Sequence, residues 1–514
     1  MIKNFKWLFL VSLTFVACNN DDEVVTYPDS SNGLPLTPGS ANFSNYVALG
    51  DSFAAGFSDN ALFIEGQKGA YPNVLAQQFS LVGGGVFTTP FMADNVGGFA
   101  GSSTYTPRLY LAPPTTPGGR PTPSSVALPP YNQMSSTTLA SLGSTFNNMG
   151  IPGAKSFHLL AAGYGSSAGN PYFARFASSA GATVLDDALS QNPTFFSLWI
   201  GGNDVLGFAT SGGDGSNPIT PTATFDAAYG ALTTQLAAGG RKGVVANLPY
   251  VNNLPFFTTV PTNPIPALPQ ANAAQLNQIF GAINQITTAL SMPSRFVTLT
   301  SDDNNPATIE ATNPLLIIDE TLPNISTFIT STLTPAVGPT TAAYLGSIYG
   351  RARHARNTVG DRDYILLTTQ SLITPPNNVQ AGAPSPFNVR GVTYPLQDGP
   401  VLTAAEALEV KTATDSYNIT IQAAASANGL AFVDTKAIME QLGTTGISGN
   451  GFSLSTTFAT GGAFSLDGVH PSPRGYALIA NKFLEAINST YGSNLKGVDL
   501  SKYRIMFPPN ASDF

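Results

Sequence analysis

Short, largely apolar runs closed by turn formers punctuate the chain. Tyr46-Val47-Ala48-Leu49 stops at Gly50, and Phe195-Phe196-Ser197-Leu198-Trp199-Ile200 stops at Gly201. Gly243-Val244-Val245-Ala246-Asn247-Leu248 stops at Pro249, and Leu430-Ala431-Phe432-Val433 at Asp434. Runs of this length predict strands buried on both faces. Helical spacing lies between them, over Phe225 to Ala238, Ala271 to Leu290, Ala404 to Asn428 and Gly475 to Ile487. Strands alternating with helices predict an α/β fold built on a parallel sheet. Two stretches break the rhythm: residues 80–145, rich in Pro, Thr, Ser and Gly, and residues 250–400, long and Pro-punctuated. Both are expected to be loop-rich insertions into one domain spanning 45–490, with 491–514 as a C-terminal tail.

The N-terminus has a different pattern. Lys3 and Lys6 precede Trp7-Leu8-Phe9-Leu10-Val11, and the apolar character continues to Phe15-Val16-Ala17 before Cys18. The run is too short for a stop-transfer span. It resembles a bacterial lipoprotein signal covering residues 1–17, cleaved before Cys18, although Phe15 stands where Leu is usual. That resemblance implies lipidation of Cys18 and an outer-membrane anchor, since several acyl chains hold a protein firmly to a bilayer. Residues 18–44 are polar and rich in Pro, Ser, Gly and Asn, and are expected to be a flexible linker. Asn19-Asn20-Asp21-Asp22-Glu23 resembles a surface-export signal, and reads equally well as a solvated tether.

Chemistry concentrates where strands end. Gly50-Asp51-Ser52 directly follows the first strand, the rim at which open α/β sheets bind ligands. A serine hydroxyl needs a base to become nucleophilic, and that base is most often a histidine oriented by a carboxylate. Of the three histidines, His158 sits in the apolar run Ser156-Phe157-His158-Leu159-Leu160 and is expected to pack. His354 belongs to the basic cluster Arg351, Arg353, His354 and Arg356, expected to be a solvated face balanced by Asp361 and Asp363. Only His470 has a carboxylate within local reach in such a loop, in Leu466-Asp467-Gly468-Val469-His470-Pro471. Two further segments offer N–H donors: Gly201-Gly202-Asn203-Asp204 after the second strand, and Asn148-Met149-Gly150-Ile151-Pro152-Gly153.

In order along the chain, Gly50-Asp51-Ser52, the Gly153 segment, Gly201-Gly202-Asn203-Asp204 and Asp467-Gly468-Val469-His470 resemble the four blocks of the SGNH/GDSL hydrolase family. The resemblance implies a flavodoxin-like three-layer α/β/α sandwich. It implies Ser52 as nucleophile, His470 as base and Asp467 as its orienting carboxylate. It also implies an oxyanion hole formed by the Ser52 N–H, the Gly153 N–H and the Asn203 side chain. The Gly153 block is the least specific, with Gly150 as a substitute, and the blocks lie much farther apart than in a minimal member. Asp51 and Asp204 are expected to be turn residues, because the triad already has its carboxylate.

The implied activity is hydrolysis of an ester, lipid or acylated glycan, through an acyl-enzyme. A carbohydrate O-deacetylase, an acyltransferase and a non-catalytic glycan-binding or adhesion module are the alternatives. Gly165-Ser166-Ser167-Ala168-Gly169 has the form of a nucleophile elbow but lacks the strand before it and the helix after it. Composition acts mainly by exclusion. Lys and Arg number 22 against 30 Asp and Glu, charged residues are 10%, and no basic run could track a phosphate backbone, so nucleic acid is excluded as a partner. A single cysteine permits no internal disulfide. No metal-ligand cluster or cofactor motif is expected, and Asp302-Asp303-Asn304-Asn305-Pro306 is expected to be a turn.

Overall fold

The computed structural model describes residues 31–114, 121–143, 145–166, 168–305 and 307–510. The signal segment, Cys18, the acidic patch and Ser167 lie outside them. A five-stranded parallel sheet forms the centre, from β1 (Tyr46–Gly50), β2 (Asn148–Gly150), β3 (Phe195–Trp199), β4 (Lys242–Ala246) and β5 (Ala431–Val433). Their spatial order is β5-β4-β3-β1-β2. Every residue of β1 and β3 is buried, which is why these segments read as unbroken apolar runs. The register pairs Gly50 with both Gly150 and Trp199, so the chain leaves β1, β2 and β3 at one common rim. β2 is the strand that periodicity misses: Asn-Met-Gly is too short and too polar to register as an apolar run.

Helices fill the connections: α1 (Ser52–Ala55), α2 (Tyr71–Ser80), α3 (Asn203–Thr210), α4 (Thr222–Leu236), α5 (Gln270–Ala289), α6 (Ala404–Asn428), α7 (Thr435–Thr444) and α8 (Pro473–Tyr491). Local chemistry sets their ends. Thr403 and Glu406 form a capping box at the start of α6, and Gly429 in the left-handed region closes it. Ser472 caps α8 by accepting from the Gly475 N–H, Pro473 takes its first turn, and Gly492 ends it.

The packed body reaches beyond 45–490 in both directions. Ala41 and Phe43 are buried, with Phe43 stacked on Phe79 at 4.1 Å between ring centroids. At the other end Leu495, Val498 and Leu500 join the main core. Phe507 meets Phe63 edge-on at 5.0 Å, and the buried Arg108 guanidinium donates to the Pro508 and Pro509 carbonyls. These apolar residues are spaced singly among polar ones, so no period announces them.

Both long stretches are structured. Leu109–Ala112 and Thr122–Ser125 pair as antiparallel strands. Within 250–400, α5 packs against helices Ser326–Val337 and Pro339–Tyr349 through an apolar cluster of its own, centred on Phe280, Ile283, Ile329, Leu345 and Tyr349. Within the basic cluster, Arg351 is exposed and Arg356 pairs with Asp361 near the surface, as expected from sequence, but the other two members are not solvated. Arg353 and His354 are buried on a strand, Ala352–His354. Arg353 Nε donates to Asp319 at 2.6 Å, and its two terminal nitrogens donate to Asp363 at 2.5 and 2.8 Å. Asp319 is distant in sequence, so local charge balance could not reveal the burial. Burial also holds the His354 imidazole down, at a pKa of about 4.

Candidate active site

Ser52 stands two residues past the end of β1, as the first residue of α1, and is only 4% exposed. The Asp51 carboxylate accepts the Phe53 N–H at 3.0 Å and so caps this turn. Burial pushes Asp51 up to a pKa of about 7. Close packing fixes the turn: a Cβ on Gly150 would lie 2.2 Å from the Ala55 nitrogen, so β2 can approach α1 only with glycine there.

Asp467 and His470 lie in the loop before α8. The Asp467 Oδ1 accepts the N–H groups of Val469 and His470, each at 2.9 Å. Its Oδ2 pairs with His470 Nδ1 at 2.9 Å and accepts the Asn60 N–H at 2.9 Å. His470 Nε2 lies 2.8 Å from Ser52 Oγ. Side-chain exposure is 13% for His470 and 9% for Asp467. Burial alone would raise the Asp467 carboxyl, but the charge and hydrogen bond of His470, with the two backbone donors, bring it down to about 2. Phe57 and Phe53 flank the imidazole, with ring centroids 4.6 and 5.5 Å away.

Two supports for this loop come from residues far away in sequence. One is the turn after α1. Asp59 donates its N–H to Ser465 Oγ at 3.0 Å, and its carboxylate accepts the Leu466 N–H at 2.9 Å. Both Asp59 and Asn60 adopt positive φ, at 50° and 64°, a conformation for which Asp and Asn are enriched. Burial pushes Asp59 up to about 7. The second support comes from the 250–400 stretch: the Phe256 N–H donates to the Gly468 carbonyl at 2.9 Å. A turn signal at Asp59-Asn60 was readable; its partner four hundred residues away was not.

Asn203 opens α3 at the same rim, and its Nδ2 donates to the Ala154 carbonyl at 3.0 Å. The Ala154 segment follows β2 and carries Gly153, exposed and at φ +80°. Asp204 ties the two together. Its buried carboxylate accepts from the Ser156 N–H and Oγ, both at 2.8 Å, and burial raises its pKa. Asp51 and Asp204 therefore act on backbone geometry, and neither pairs with His470.

The remaining candidates lie elsewhere. The His158 Nδ1 accepts the Lys155 N–H at 3.1 Å and the ring stacks on Tyr164. Residues 161–166 form turns, and no strand leads into the Ser167 position. Asp302, Asp303 and Glu310 bring three carboxylates together at a turn in which Asn304 and Asn305 donate N–H groups to Asp302 and Asp303. Among the described residues no helix is long and apolar enough to cross a membrane.

The arrangement joins a hydroxyl, an imidazole and an ionised carboxylate in one hydrogen-bonded line, with a glycine-bearing loop and an asparagine amide beside it. Such a line can move a proton from a serine hydroxyl to an imidazole whose far nitrogen is held by a carboxylate. No family model, curated protein or solved structure matches the chain.

Proposed function

We propose that this chain is a serine ester hydrolase of the SGNH/GDSL type, with Ser52 as nucleophile, His470 as general base and Asp467 as its orienting carboxylate. The carrying observation is the unbroken Ser52 Oγ–His470 Nε2 and His470 Nδ1–Asp467 Oδ2 pairing, at 2.8 and 2.9 Å. The strand order supports the flavodoxin-like part of this reading, because β1 and β3 flank the point where the connections reverse direction. A three-layer sandwich is in keeping with that order, since right-handed crossovers on either side of the reversal point lie on opposite faces.

In this reading Ser52 Oγ attacks the ester carbonyl carbon and its proton passes to His470 Nε2. The ionised Asp467 stabilises the imidazolium. The developing oxyanion takes N–H donors from Ser52, Gly153 and the Asn203 amide. The Ala154 carbonyl holds one of the two Asn203 amide hydrogens, and the other serves the substrate. Collapse expels the alcohol, protonated by His470, and leaves Ser52 acylated. Water, deprotonated by His470, then releases the acid. An acyltransferase differs only in the final acceptor. Cys18, as lipidated N-terminus, would tether the hydrolase to a membrane.

The test is an ester panel read for the full chain beside Ser52→Ala, with labelling by a fluorophosphonate probe. Wild type labels and turns over esters, and Ser52→Ala does neither. Equal ester turnover in Ser52→Ala ends the proposal, and a wild type that neither labels nor hydrolyses points to a binding module.

A further inference from the structure

An apolar pocket lies beside the triad. It touches the catalytic residues through their chain neighbours. Asp51 and Phe53 flank Ser52, Val469 and Pro471 flank His470, and Gly202 precedes Asn203; all five line it. Its walls come from β3, α3, the loop after β4 and α7, through Trp199, Val205, Leu248, Leu254, Met439 and Leu442. Two of the polar side chains in these walls are committed inside the protein. Trp199 Nε1 donates to the Asn247 carbonyl at 3.1 Å, and the Thr435 hydroxyl donates to the same carbonyl. Asp51 is engaged by the Phe53 N–H. What remains for a ligand is carbon surface, which selects a chain that needs no hydrogen bonds.

We infer that this pocket holds the acyl chain of the substrate, making the preferred ester one of a medium-length fatty acid rather than acetate. The assignment rests on the hydrolase reading for the position of the carbonyl, at Ser52, and on the pocket for everything beyond it. A short acyl group leaves the cavity unfilled, whereas each added methylene removes apolar surface from water and raises kcat/KM by a factor on the order of four until the pocket is full.

The experiment compares p-nitrophenyl acetate, butyrate, octanoate and palmitate on the full chain, Val205→Trp and the milder Leu442→Phe. Calorimetry with sodium decanoate on Ser52→Ala gives a binding readout free of turnover. Expected are an octanoate kcat/KM at least about 10²-fold above acetate in the wild type, and a saturable decanoate signal. Val205→Trp should lose most of the octanoate advantage, read as the octanoate-to-acetate ratio of kcat/KM, with folding checked by circular dichroism. If Val205→Trp does not fold, Leu442→Phe carries the same expectation with a smaller loss. Ser52-dependent turnover that favours acetate, or that falls equally for both esters in the pocket variants, overturns the acyl assignment and leaves the hydrolase standing. Decanoate binding without Ser52-dependent turnover does the reverse.

Discussion

Replacing Asp467 by Asn isolates what the carboxylate does. Its two oxygens accept four hydrogen bonds, from the N–H groups of Asn60, Val469 and His470 and from His470 Nδ1. An asparagine side chain has one acceptor oxygen. Keeping that oxygen on the two backbone donors turns the amide nitrogen toward Asn60 and His470. The amide then donates to Nδ1, which forces the imidazole proton onto Nε2, facing Ser52 Oγ. A protonated Nε2 cannot take the serine proton. The expected loss in kcat is about 10⁴, or roughly 5.5 kcal/mol of transition-state stabilisation, with KM nearly unchanged. Folding should persist, because Asn60 is exposed and water can replace the acceptor its N–H loses. The stability cost at neutral pH is then about 1–2 kcal/mol. Stability also becomes less acid-sensitive. The Asp467 pKa of about 2 lies below its ordinary 3.8, so its contribution is complete above 3.8 and lost as pH falls through 2. Steady-state kinetics on p-nitrophenyl butyrate with urea titrations at pH 7 and pH 3 give both readouts. A kcat within tenfold of wild type, in a folded Asp467→Asn protein, would refute the triad assignment.

Other residues give sharper single readouts. Asn203→Ala should reduce kcat by about 10²–10³ with little change in KM, measured on the same ester, because a transition-state donor is removed. Asp363→Ala strips the Arg353 guanidinium of its bidentate partner while Arg353 stays buried; the expected destabilisation is about 3–5 kcal/mol, read by denaturant titration. Asp59→Asn keeps the acceptor for Leu466 and removes a carboxyl whose pKa burial has raised from 3.8 to about 7. A raised folded pKa lowers stability as pH climbs from about 4 to 7, by up to about 4 kcal/mol, so the variant should lose less stability than wild type between pH 4 and 8.

Part of this site was legible before any coordinates. Four of the five strands are runs whose burial on both faces leaves no polar alternation to obscure them. Gly-Asp-Ser after a strand and Asp-x-x-His before a helix are local patterns, because the turn and the Asp467–His470 pairing are themselves local. Asp51 and Asp204 were identifiable as turn residues for the same reason. β2 was hidden because three residues carry no period, and Gly150 declares itself only through the α1 backbone packed against it. Arg353 reads as solvated from sequence because its burial comes from the pairing of its strand with Leu316–Ile318, and its second partner, Asp319, follows that distant strand.

The sequence alone determined four of the five strands, four of the longer helices, and which side chains could do acid–base chemistry, since these depend on neighbours within a few residues. Tertiary structure decided which of those side chains meet. The parallel register brings the ends of β1, β2 and β3 to one rim, and the 58–60 turn and Phe256 clamp the His470 loop against it. It also decided the pocket, whose walls come from residues 51 to 479 and leave no trace in any single stretch of chain. The physical reason is range: helix and strand signals act over a few bonds, whereas the placement of a proton donor beside its acceptor, or of apolar walls around a cavity, is fixed by packing between elements far apart in sequence.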